Sequence, residues 1–176
     1  MQKLFVGMVL SGAVLANGLA GCAPSIANKF LPAITSVPTP KVVSSGSFPA
    51  LEQSVYQQIN QYRQSRNLPA LKLDSRISEQ ARAHSQAMAN GRVPFSHQGF
   101  DQRVKAISST IPYQEAAENV AYNQGYQNPD RQAVEGWIKS SGHRHNIQGN
   151  YNLTGIGIVK NAQGEYYFTQ IFIRSW

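Results

Sequence analysis

The chain has 176 residues, one cysteine, and 16 Lys and Arg against 9 Asp and Glu, for a formal charge of +7 and a pI near 9.7. That length suits one domain with additional segments, and a lone cysteine excludes an internal disulfide framework. The basic residues form no cluster or nucleic-acid reading motif, so nucleic acid is not an expected partner; the modest positive excess reads as an ordinary solvated surface, with affinity for anionic envelope surfaces as the alternative.

Taken in chain order, Lys3 precedes an apolar run over residues 4–15 and then the small-residue stretch "LANGLAGC". This is the layout of a secretory signal. The run, broken by Gly7 and Gly12, is shorter than the roughly 20 apolar residues of a membrane span. "LAGC", ending at Cys22, resembles the lipobox of bacterial lipoproteins. The resemblance implies a lipoprotein signal peptide over residues 1–21 and a diacylglyceryl group on Cys22 that anchors the mature chain to a membrane. Ala23, where an aspartate would retain a lipoprotein at the inner membrane, points to the outer membrane in a cell with two. An ordinary secreted protein is the alternative. Residues 22–48 read as a lipidated start and flexible linker; residues 23–47 carry four prolines and no acidic residue. All nine acidic residues and thirteen of the sixteen Lys and Arg follow position 47.

The domain is expected over residues 49–176. "PALEQSVYQQINQYRQSRN" places Leu51, Val55, Ile59 and Tyr62 on one helical face. Asp74 or Ser75 caps a second helix, with Ile77, Ala81, His84 and Met88 on one side and Gly91 as its stop. "NPDRQAVEGWIKSSG" predicts another helix, capped by Asp130, burying Val134, Trp137 and Ile138, and ended by Gly142. "LTGIGIVKNAQGEYYFTQIFIRSW" reads as a hairpin turning at "NAQG". Both faces of its second strand are apolar, so the sheet is expected to be covered on both sides. The fold class is therefore α+β, a three-layer sandwich.

Four histidines carry the candidate chemistry. His84 lies on an apolar helical face and reads as structural. His97 follows Pro94 and Phe95 in a loop, and His143 follows a glycine where a ring can be placed over a cleft. His145 reads as surface or local structure. A serine triad has no "GxSxG" elbow to supply a nucleophile, and no "HExxH" marks a zincin. Zinc accepts imidazole nitrogen and carboxylate oxygen, and three protein ligands leave a position for water. Glu118 in "AENVAY" needs a partner if buried. The residues leave open both a metal site and a plain Glu–His hydrogen-bond network.

The series "LKLDSRISEQARAHSQAM", "FSH", "AENVA", "WIKSSGHRHNI", "GIGI" and "YYFTQIF", in that order, resembles the CAP superfamily, and most of all its bacterial SCP-like extracellular branch. The resemblance implies an α-β-α sandwich with a cleft in which two histidines and acidic residues converge. By motif these are His97, Glu118 and His143, which thereby become the ligand-binding residues and the candidate ligands of a divalent ion such as zinc. Asn119, Trp137 and Ser140 are placed as support. Ser140 stands where many eukaryotic members have a second acidic residue, so any ion is expected to be weakly held; Ala117 replaces the usual glycine. The function implied is a non-enzymatic envelope module that binds a lipid, peptide or protein. The alternative is a metal-dependent peptidase or esterase, for which no matched carboxylate remains as general base. Glu135, a turn before Ser140, has nothing to place it in the cleft.

Overall fold

The computed structural model describes residues 48–176. The leader, the linker and Cys22 lie outside the described residues, so the expectations attached to them are not addressed by the fold. Among the described residues no helix is long and apolar enough to cross a membrane.

Helix α1 spans Phe48–Gln64 and buries Val55 and Ile59, with Glu52 and Arg63 on the same face. After the two-residue strand β1, Lys72–Leu73, comes α2, Ser75–Ala89. Asp74 caps α2 by accepting from the Arg76 N–H. At its end Gly91 takes φ +67°, and the Arg92 and Gly91 N–H groups return to the Ala87 and Met88 carbonyls. Those bonds close a left-handed helix stop, as Gly91 predicted.

Four elements were not announced by any apolar period read from the sequence: β1, α3 (Phe100–Ser108), β2 (Tyr113–Gln124) and α5 (Ser141–Gln148). The third predicted helix is α4, Pro129–Lys139, and two details of it are corrected. Its N-cap is Asn128 with Pro129 in the first turn, while the Asp130 carboxylate accepts from Ser54 and Gln58 of α1. It also stops earlier than Gly142, because Ser140 turns extended at ψ 125° and α5 begins at the next residue. The hairpin forms as expected from β3 (Leu153–Lys160) and β4 (Glu165–Ser175), with Asn161 Oδ1 accepting the Gln163 and Glu165 N–H groups in the turn.

The four strands run in the order β1-β3-β4-β2. Only the β1–β3 pairing is parallel. One face buries Ile156, Ile158, Phe168 and Phe172 against α1, α4 and α5 residues such as Ile59, Trp137 and Ile147. The other buries Ile171 and Ile173 against Ile77, Ala81 and Ile107 of α2 and α3. The chain is thus an α+β three-layer sandwich in a single domain. Helix α2 lies directly on β3: a Cβ on Gly155 would fall 2.3 Å from the Ile77 backbone, and one on Gly157 2.1 Å from the Arg82 nitrogen. Helix side chains also complete the outer edge of β3 beyond short β1. The Ile156 N–H donates to Ser78 Oγ and the Ile158 N–H to Glu52 Oε1.

Candidate ligand-binding cleft

β2 is an edge strand, and consecutive residues on a strand point to opposite faces. Glu118 pairs with Ile171 and Asn119 with Gln170, so these neighbours reach into opposite layers at one level of the sheet. Each anchors one of the cleft histidines.

On the α2–α3 side, Glu118 is fully enclosed. Its Oε1 accepts from His97 Nδ1 at 2.9 Å and Arg103 Nη2 at 2.8 Å, and its Oε2 accepts from Arg103 Nε at 2.9 Å. Arg103 also donates to the Gln98 carbonyl and to His84 Nδ1, and His84 Nε2 donates to the Ser96 carbonyl at 2.8 Å. Burial, reinforced by the Arg103 charge, lowers the His84 pKa, so its ring stays neutral and structural, as its position on α2 suggested. The Glu118 carboxylate on Nδ1 fixes the orientation of the His97 ring.

On the other side, the Asn119 amide donates to the His143 carbonyl at 3.1 Å, and its Oδ1 accepts from Asn146 at 2.9 Å. The far end of α5 is fixed by Arg63, which donates to the carbonyls of Ile147, Gly149 and Tyr151. A buried cation over the carbonyl end of a helix is favourably placed. Pinned at both ends, α5 presents His143 to the cleft at 4% exposure. Neither of its ring nitrogens has a hydrogen-bond partner among the described residues. Burial first, and proximity to His97 second, push its pKa down to about 4. At neutral pH His143 therefore presents one N–H and one lone pair, each costing about 1–3 kcal/mol while unmade.

His97, Glu118 and His143 line a single cleft of about 820 Å³. Its floor is the start of β2, with Phe100 and Val104 of α3 on one wall and His143 and His145 of α5 on the other. The exposed His145, read from sequence as surface or local structure, is on the rim. Trp137 donates its indole N–H to the Val120 carbonyl at 3.0 Å. Ser140 contributes backbone: its N–H donates to Gly136 and its carbonyl accepts from Arg144.

Both Glu118 oxygens are engaged by Arg103 and His97, so this carboxylate orients a histidine. Among the described residues no three His, Cys, Asp or Glu side chains form a group suited to a metal ion. Arg103 is the residue that sequence reading missed. Its signal was present: Phe100, Arg103, Val104 and Ile107 share one face of α3, and a cation on a buried face requires an anion.

A family model described as CAP, the cysteine-rich secretory protein family, matches residues 56–172. The chain belongs to the CAP family. It is 36% identical over 160 residues to YkwD of Bacillus subtilis (strain 168), covering 88% of this chain and 56% of that protein. It is 31% identical over 145 residues to the membrane protein YlbC of the same strain, covering 78% and 39%. Among solved structures, an extracellular protein containing an SCP domain from Bacillus anthracis matches with a TM-score of 0.63 and 26% identity, over 79% of this chain and 45% of that one. The chain thus spans about half or less of the length of these relatives. The CAP domain's name promises cysteines, yet the matched segment contains none; its sheet is secured by glycine contacts and buried polar clamps.

Proposed function

We propose that this CAP domain is an exported, non-enzymatic binding module, tethered to the cell envelope through lipidated Cys22 and engaging its ligand in the β2 cleft. The supporting observation is His143: a buried imidazole lining a cleft, with neither nitrogen paired among the described residues. The ring is oriented by backbone clamps alone, so its hydrogen-bonding capacity remains available to a ligand. Export is supported by the signal-like leader and by the extracellular relative from Bacillus anthracis; the tether is supported by "LAGC". The outer membrane is the assignment that Ala23 favours.

The hydrolase reading asks Glu118 to help hold a metal that activates water, but both its oxygens are already bonded. Binding is therefore favoured. A weakly held divalent ion at the cleft histidines would supply a Lewis-acidic contact to a ligand oxygen.

The test is retention from cell-envelope extract, with lipids and peptides identified by mass, comparing the full mature chain with His143→Ala and the cleft-filling Val104→Trp. Loss of the same retained species in both variants is expected; equal retention would refute the cleft as the binding site. Zinc titration of the same proteins should give weak binding that His143→Ala abolishes. For the tether, Cys22→Ser should release the protein from membranes.

A further inference from the structure

The outer edge of β2 is finished along only part of its length. In an antiparallel pair, the peptide groups of alternate residues turn away from the partner strand. The Glu118 and Val120 carbonyls are on this outer edge, since they accept from Asn146 Nδ2 at 3.2 Å and Trp137 Nε1 at 3.0 Å. Ala116 is two residues earlier, within regular pairing to Ile173 and past the bulge at Tyr113/Glu115. Its N–H and C=O therefore turn the same way, into the cleft that Ala116 lines. No described residue bonds them there. The free stretch thus runs between an apolar wall, Phe100 and Val104, and an imidazole wall, His143 and His145.

We propose that the cleft takes an extended peptide segment, which adds to the edge of β2 as a short fifth strand at Ala116. This rests on the binding reading above and names the ligand class. A donor and an acceptor on one residue match a peptide backbone, whose carbonyl receives the Ala116 N–H and whose N–H reaches the Ala116 carbonyl. Side chains of an added strand alternate between faces. One set meets Phe100 and Val104, and the other meets the unpaired nitrogens of His143. Residues Asn146 and Trp137, by capping the following carbonyls, end the pairing site at Glu118.

The experiment is selection of random dodecapeptides displayed on their encoding RNA, using the full mature chain, followed by N-methyl scanning of an enriched peptide. Edge pairing predicts that methylation weakens binding about tenfold or more at alternate positions only, and that the Ala116 amide gains protection from hydrogen exchange. Ala116→Pro, which removes an outward N–H without touching the ladder to β4, should give a similar loss. A peptide that depends on His143 but shows no two-residue period and no Ala116 protection would overturn edge pairing while leaving cleft binding intact. Failure to enrich any peptide would also overturn it, whereas the envelope-retention test judges cleft binding independently.

Discussion

The Glu118 side chain is enclosed, and its burial is tolerated because Arg103 grips it with two nitrogens and His97 with a third. Breaking such a pair from one side leaves a stranded charge, at a cost of about 3–5 kcal/mol. Glu118→Gln should therefore lower stability by about 3 kcal/mol in urea denaturation. Glu118→Leu combined with Arg103→Met should recover much of that loss. A change below about 0.5 kcal/mol in Glu118→Gln would contradict the pairing. From sequence, Glu118 and both cleft histidines were legible because their motifs are short and local. Their partners were not, because the Arg103–Glu118 contact joins a helix to a strand that no apolar period had marked.

Among the elements, β3 and α2 were legible in type but their separation was not. "GIGI" alternates small and large residues, which signals a strand, but only the structure shows α2 backbone within 2.3 Å of where Cβ atoms would sit. Gly157→Ala should force the helix off the sheet and cost about 3 kcal/mol or more. Gly91→Ala meets open space and only strains φ, for about 1 kcal/mol. Thermal melts of the two variants should rank in that order, and equal shifts would refute direct helix–sheet contact. Helix α5 was misread because a glycine after a helical run usually marks a stop. Here Ser140 makes the break and Gly142 lies within the next helix. With α5 held over β2 by Asn119, Asn119→Ala should cost about 1–3 kcal/mol and loosen His143. That loosening would appear as faster exchange of α5 amides, with α4 amides unchanged; unchanged α5 exchange would contradict the clamp.

For the whole molecule, the layered architecture followed from the sequence because two-sided apolar strands demand cover on both faces. The cleft was expected only from the family resemblance, because apolar periods do not mark where an edge strand lets both layers meet. Its buried imidazoles make stability pH-dependent. The folded protein keeps His143 neutral down to about 4, whereas the unfolded chain binds that proton below about 6.5. Stability is thus fully present above about 6.5, falls with pH, and loses up to about 3 kcal/mol from this group by pH 4. His84 adds a loss of the same sign. Replacing His143 with Leu should flatten the profile without abolishing it; an unchanged profile would contradict the burial of the ring.

Glu118 and Asn119 draw His97 and His143 into one pocket, where His143 is buried and its pKa is pushed down to about 4. The direct measurement is a pH titration of the histidine ring nitrogens by 15N NMR. The His143 nitrogens should retain the neutral signature until the pH approaches 4, and Asn119→Ala should raise that midpoint. A wild-type midpoint near 6.5, the value of a solvent-exposed imidazole, would contradict the account.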